Sequence, residues 1–356
     1  VNLNSDVTRK NVRHADCEGD GSVMQLIHTS DLSPGFRRKK AGKGFIYLDP
    51  DGNRLVDAAQ LARIRSLVIP PAYQSVWICM PANGHLQATG RDARNRKQYR
   101  YHPEWRQLRD DRKFSNLLEF AEMLPGIRAR LGELLRSRDI GKEQVAALAL
   151  SIIDQTGARV GNTAYRDENG TYGITTLMNE HAEVNGQSLR LHYRGKHGKD
   201  VKLKLQSPAL ARRLARCQDL PGQDLFEYVN TAGDVVPLSS SDVNGLLRDI
   251  AGEHVTAKTF RTWRGSLIAF HHLLGCDPAG STSSLKSDEV AAVRATAEAL
   301  HNTMATARKY YVHPRITETW LSGEFSELVG KAKKSRAFAK LDDADESLFA
   351  RFLSQK

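Results

Sequence analysis

Cysteine is scarce in this chain: of 356 residues only Cys17, Cys79, Cys217 and Cys276 carry a thiol, and no two stand in a C-x-x-C spacing. That excludes a disulfide framework and a zinc knuckle, and it fits a reducing compartment. Long apolar runs are missing as well. Nothing approaches the ~20 continuous apolar residues of a membrane span, and residues 1–20 are too polar for a signal peptide, so a soluble cytoplasmic protein is expected. Also absent are a G-x-x-x-x-G-K-[ST] phosphate loop, a G-x-S-x-G elbow, an H-E-x-x-H pair and a G-x-G-x-x-G turn after a strand. Nucleotide hydrolysis and zinc hydrolysis lose their usual signatures with them. Acidic residues are outnumbered, 41 against 52 lysines and arginines, and the formal charge of +11 suggests a polyanionic partner.

What is present suffices for two folded units. The length exceeds a usual single domain, and 40% apolar residues can fill a core without metal or disulfide. Residues 1–22 lack periodicity and read as a flexible tail. Residues 23–103 read as a small β-rich domain. Phe45 to Leu48, the turn Asp49-Pro50-Asp51-Gly52 and Leu55-Val56 suggest one hairpin; Val76 to Cys79 and His85 to Gln87 suggest another; a helix over Ala58 to Leu67 lies between them. Beyond His102-Pro103 the period becomes helical, with Leu117, Leu118, Ala121, Leu124, Ile127, Leu131, Leu134 and Leu135, then an apolar helix from Val145 to Ile153. Residues 104–356 thus form a larger, mainly α domain. One stretch breaks its pattern: Leu189 to Leu205 alternates as a hairpin around Arg194-Gly195-Lys196-His197-Gly198-Lys199. The fold class is α+β.

The residues suited to chemistry are dispersed cations and a pair of tyrosines: Arg159 after the apolar helix, Lys196 at the hairpin tip, Lys258 and Arg261 in Lys258-Thr259-Phe260-Arg261-Thr262-Trp263, and Tyr310-Tyr311 closing a helix before His313-Pro314. Taken singly, each has an ordinary reading. An arginine at a helix end is commonly a cap, a turn lysine is solvated, and adjacent tyrosines are one core ring and one surface ring. The runs Arg37-Arg38-Lys39-Lys40 and Lys331-Ala332-Lys333-Lys334 read as solvated surface. His271-His272 with Cys276 reads as the polar flank of a buried helix rather than a metal site.

Together and in this order the residues resemble the type IB DNA topoisomerase family of small bacterial and poxvirus-like enzymes, related to the tyrosine recombinases. The resemblance runs from about Ser30 to Trp320. Ile69-Pro70-Pro71-Ala72 and Gly90 to Pro103 are similar to its DNA-gripping N-terminal domain. Arg159-Val160-Gly161-Asn162 with Glu168 to Leu177 is similar to the segment of the first catalytic arginine. Tyr193-Arg194-Gly195-Lys196 matches the hairpin lysine, Lys258-Thr259-Phe260-Arg261-Thr262 the second arginine, and Asn302-Thr303, nine residues before Tyr311, the final helix and its nucleophile. The family usually has proline where Met304 stands and a small residue where Tyr310 stands. Neighbouring helix positions diverge by about 100°, so only one of the two rings can face the phosphate. The interval from Asn302 and the following Val312-His313-Pro314 favour Tyr311.

The resemblance implies relaxation of positive and negative supercoils through a transient 3′-phosphotyrosyl intermediate, with no cofactor, metal or ATP. In that chemistry a phenol, of ordinary pKa about 10, attacks a phosphodiester, and negative charge grows on the phosphoryl oxygens. Arg159 and Arg261 would grip those oxygens, Lys196 assisted by Lys258 would protonate the departing 5′ oxygen, and Asn302 would donate to a nonbridging oxygen. Arg96, Tyr99 and Tyr101, joined by Tyr165, are the expected DNA contacts. The expected partner is duplex DNA held in a clamp of two domains by a nucleoid-associated monomer, with no membrane and no obligate protein partner. Two other readings stand beside it. A tyrosine recombinase would usually carry histidine at the position of Lys258 and begin with a helical domain. A non-catalytic DNA-binding protein would leave no covalent adduct.

Overall fold

The computed structural model describes residues 26–355 except 43, 94 and 339, and for residues 106–113 and 115 the backbone alone. The tail expected over residues 1–22, and Cys17 with it, lies outside the described residues. The chain divides into two units, Val1–Arg109 and Asp110–Lys356.

The first unit is an antiparallel sheet. Its strands are β1 (Phe36–Ala41), β2 (Gly44–Leu48), β3 (Gln74–Ile78), β4 (Leu86–Arg91) and β5 (Lys97–Tyr101), in spatial order β2-β1-β3-β4-β5. Val76, Trp77 and Ile78 are all buried, because β3 is central and covered on both faces. Helix α1 (Ala58–Ser66) starts where the Asp57 carboxylate accepts from the Ala59 and Gln60 amides at 2.8 and 3.1 Å. Arg63 on α1 donates to the Cys79 carbonyl at 2.6 Å and to Gln87 Oε1 at 2.8 Å, fastening the helix to the sheet.

Two expectations are corrected here. Leu55-Val56 is not a strand; after the turn, pairing amounts to a bridge between Leu48 and Arg54 and one bond from the Leu55 amide to Tyr47, because the Asp57 cap begins a helix at once. The run Arg37 to Lys40 is not uniformly solvated. Arg38 is half-buried and donates to the carbonyls of Ile69, Pro70 and Tyr73 at 3.1, 3.0 and 2.7 Å, which makes it a brace for the loop before β3.

Helix α2 (Pro103–Arg136) passes from the first unit into the second and continues through Pro125. A proline there removes one helical hydrogen bond. The helix survives because Leu117, Ala121, Leu124, Ile127, Leu131 and Leu134, three or four apart, are buried together with Phe120. Helix α3 (Lys142–Thr156) has eight buried residues and lies in the middle of the second core. Then follow α4 (Thr163–Asn169), a sheet of β6 (Ala182–Val184), β7 (Ser188–Arg194) and β8 (Asp200–Gln206), and α5 (Pro208–Gln218). A ribbon of β9 (Glu227–Val229) and β10 (Val235–Pro237) comes next, a second β element that the helical reading of this domain lacked. Three-residue strands are too short for alternation to be visible. Helices α6 (Ser240–Ala251), α7 (Ala257–Leu274), α8 (Thr282–Ala299), α9 (Met304–Tyr310), α10 (Pro314–Ser322), α11 (Phe325–Lys334) and α12 (Ala344–Ser354) complete the unit. The fold is α+β. Among the described residues no helix is long and apolar enough to cross a membrane.

An ionic knot ties four helices of this unit. Arg128 of α2 donates to Asp154 of α3 at 2.7 Å and to Glu346 of α12 at 2.6 Å, and the Trp263 indole of α7 donates to Glu346 at 3.0 Å. Burial alone would lower the Arg128 pKa, but the two carboxylates outweigh it and raise the pKa. Removing one partner strands the other charges away from water. Glu346→Ala is therefore expected to destabilise the second unit by about 3–5 kcal/mol, read as a shift of the urea midpoint, while an exposed neighbour such as Asp342→Ala leaves it in place.

Candidate active site

The site begins where α3 ends. Gly157 caps the helix with φ 65°, a left-handed conformation, and its amide closes onto the Ile153 carbonyl at 2.7 Å. A Cβ there would also come within 2.8 Å of Leu300, so glycine is required twice over. The chain then turns through Arg159. Its carbonyl accepts from the Ile174 amide at 2.9 Å and the next carbonyl, of Val160, from Thr175 at 2.7 Å, so the arginine sits on a pinned segment rather than a free loop.

Arg261 lies on the second turn of α7 and is 4% exposed. Its guanidinium donates to the carbonyls of Gly157 and Leu300, the residues that cap the C-terminal ends of α3 and α8. Those carbonyls carry the negative ends of two helix dipoles and offset the arginine's charge without a carboxylate. Arg159 donates to Oδ1 of Asn302. Burial lowers the pKa of both arginines, and the charge of Arg159 lowers that of Arg261 further; the Tyr311 and Tyr193 phenols act the other way on both. Among the described residues no carboxylate pairs with either guanidinium. Nε of Arg261 and Nδ2 of Asn302 are buried donors without an acceptor. Two cations and two spare donors held together without an anion make a site shaped for one.

Tyr311 is brought to the same place by α9. Thr303 caps that helix, accepting from the Thr306 amide at 3.3 Å, so it starts at Met304 without a proline. Arg308 ties α9 to α8 through buried Glu289. Tyr311, 8% exposed, is the residue just past the helix, and its ring centroid is 5.0 Å from the Arg261 guanidinium carbon. Its carbonyl accepts from Ser266 Oγ of α7 at 2.9 Å, and that serine hydroxyl in turn accepts from the His313 amide at 3.0 Å. Tyr310 lies instead by Lys258 and Lys309, whose Nζ atoms are 5.8 and 5.4 Å from its ring centroid.

The hairpin supplies another wall. Tyr193 and Gly195 line a small pocket with Arg159, Arg261, Leu300 and His301. Burial pushes the Tyr193 phenol up to about 12, against the pull of the two arginines. Lys196 is exposed at the tip, its Nζ 5.5 Å from the ring centroid of exposed Tyr165 on α4. Arg159, Arg261, Asn302 and Tyr311 are thus gathered into one cluster, whereas Lys196 leans on Tyr165 and Lys258 on Tyr310.

In the first unit, Tyr99 and Tyr101 sit on the edge strand β5 with stacked rings 6.1 Å apart, Tyr99 being 46% exposed. Arg96 is in the preceding turn and pairs with Asp92 at 2.8 Å. Two residues of the cluster were given no role from sequence, Tyr193 and Ser266. The alternation Leu189, Leu191, Tyr193 already puts that tyrosine on the buried face of the hairpin, but Ser266 carries no such signal. Cys276 donates to the His272 carbonyl at 3.4 Å, and among the described residues no three His, Cys, Asp or Glu side chains group as metal ligands.

Comparison with known proteins assigns sequence relatives to this geometry. A family described as eukaryotic DNA topoisomerase I, catalytic core, matches residues 102–334, and one described as bacterial DNA topoisomerase IB, N-terminal domain, matches residues 44–92. The chain is 29% identical over 288 residues to DNA topoisomerase 1B of Acanthamoeba polyphaga mimivirus, covering 79% of this chain and 86% of that protein. It is 26% identical over 183 residues to DNA topoisomerase 1 of Mycosarcoma maydis, covering 46% of this chain and 18% of that one.

Two measurements check the packing of this site. Ser266→Ala leaves the Tyr311 carbonyl and the His313 amide without their shared partner and is expected to cost about 1–3 kcal/mol, measured by urea unfolding. In an alkaline absorbance titration of the native protein, one phenol is expected to ionise near pH 12 and to vanish in Tyr193→Phe. Because folding raises this pKa above the ordinary value of about 10, the stability it contributes is complete below that value and is lost as pH rises through 12.

Proposed function

The chain belongs to the type IB DNA topoisomerases, and from that premise we propose that it relaxes positive and negative supercoils by cutting one strand with Tyr311 and resealing it. The observation that carries this reading is the cluster itself: Arg159, Arg261 and Asn302 together, unspent donors on Arg261 and Asn302, no carboxylate partner among the described residues and the Tyr311 ring against one guanidinium. A phosphodiester brings the missing negative charge.

In the proposed reaction the Tyr311 phenol gives its proton to solvent and its oxygen bonds to phosphorus as the bond to the 5′ oxygen breaks. Lys196 supplies the proton that the departing oxygen needs, with Lys258 assisting. Charge growing on the nonbridging oxygens meets the two guanidiniums and the Asn302 amide, already in place and unable to lose their charge or dipole during the step. Resealing reverses each transfer: the 5′ hydroxyl attacks the 3′-phosphotyrosine, its proton returns to Lys196 and the phenol is released. One phosphoester is exchanged for another, so no ATP is consumed. DNA contacting Tyr165 would free Lys196 from the face of that ring for this step. Arg96, Tyr99 and Tyr101 are proposed as further DNA contacts. One chain supplies every residue named, so a monomer suffices.

The test is plasmid relaxation in EDTA without ATP. Wild type is expected to relax both supercoil signs, Tyr311→Phe to be inactive, and Tyr310→Phe to stay within a few-fold of wild type. Arg159→Lys, which keeps the charge and loses the fork, should slow single-turnover cleavage by about 10²–10³-fold. An active Tyr311→Phe would overturn the nucleophile, and dependence on added magnesium would overturn the mechanism.

A further inference from the structure

His301 stands between α8 and α9 in an unusual state. Its backbone φ is +50°, a region that suits glycine and strains other residues, and such outliers collect where function holds them. The conformation is imposed by two backbone bonds, from the His301 amide to Glu298 at 3.0 Å and from the Asn302 amide to Ala297 at 2.8 Å. Together they end α8 and deliver Asn302 to Arg159.

The half-buried imidazole borders the arginine pocket beside Tyr193 and Gly195. The charges facing it are Arg261 from α7, Arg159 from the segment after α3, and Lys199 and Asp200 from the hairpin, three cations to one carboxylate. Burial and then the two arginines hold its pKa below the ordinary histidine value, with Asp200 opposing them. These surroundings favour the neutral ring near pH 7. A phosphodiester entering it reverses the local field, because its negative charge offsets the two guanidiniums that repel a proton from the ring.

We propose that His301 is a further phosphate-binding residue that takes up a proton when the scissile phosphate enters the pocket, so that DNA is held more tightly as pH falls. This rests on the reading of the arginine cluster as the phosphodiester site. The sign follows from linkage. A ring that is more basic with DNA bound adds affinity that is absent above its bound pKa, grows as pH falls, and is complete below its free pKa. The gain is about tenfold for each unit by which DNA raises that pKa.

The experiment uses the full chain with Tyr311→Phe, which cannot form the covalent bond, and a fluorescein-labelled duplex in an anisotropy titration from about pH 8 to about pH 5.5 at constant ionic strength, a span that brackets the ordinary histidine pKa. With His301 present, affinity is expected to rise several-fold across this range beyond the rise seen in His301→Gln. His301→Gly, which suits φ +50°, should behave like His301→Gln and guards against a misfolded variant. Equal pH dependence in all three proteins overturns the proposal, as does an NMR titration in which the His301 ring has the same midpoint with and without DNA. Arg159→Ala in the same background separates the two levels. If it weakens binding while the pH step is unaltered by His301→Gln, the histidine proposal alone fails; if it leaves affinity unchanged, the arginine pocket does not hold the phosphate and both readings fall.

Discussion

Two guanidiniums in one small space repel each other, and the second unit is arranged around holding them there. A carboxylate would be the simplest counterweight, but it would also occupy the donors and repel a phosphate. The chain uses backbone carbonyls instead. Arg261 is anchored on the capping carbonyls at the ends of α3 and α8, where aligned peptide dipoles provide partial negative charge that cannot dissociate or swing away. Arg159 is anchored on an amide oxygen. The site thus keeps its positive potential and its spare hydrogen-bond donors, and the helix ends have to converge for it to exist at all.

That need explains the small residues around the cluster. Gly157 lets α3 stop beside Leu300, and a side chain at Gly265 would meet Tyr311 at 2.9 Å. Ser266 binds the Tyr311 carbonyl and the next turn's amide with one buried hydroxyl. These contacts fix the backbone that carries the tyrosine, so the orientation of Tyr311 against Arg261, and of Tyr310 against the lysines, comes from packing between α7 and α9 rather than from either ring's own preference.

Much of this was legible in the residues. The alternation from Leu189 to Leu205 gave the hairpin, helical spacing from Leu117 to Leu135 gave the long helix, and the family resemblance named Arg159, Arg261, Asn302 and Tyr311, which the fold brings together, while Lys196, expected beside them, leans on Tyr165. What could not be read depends on contacts between distant segments. Arg38 looks like any member of a basic run until three carbonyls converge on it. Leu55-Val56 has strand-like residues, but the helix cap Asp57 follows at once and leaves no length to pair. Ser266 looks like an ordinary helix serine, and no sequence pattern shows that the Tyr311 carbonyl ends beside it.

The ionic knot of Arg128, Asp154, Trp263 and Glu346 joins the middle of the unit to a helix made thirty-five residues after Tyr311. During synthesis, then, the chain acquires Tyr311 and both arginines before it acquires the carboxylate that completes the knot under α7. A nascent chain in that interval has Arg128 short of one partner and the Trp263 indole without its acceptor, on the very helix that carries Arg261. The carboxylate that fastens α7, the helix of Arg261, therefore stands later in the chain than Tyr311 and both arginines.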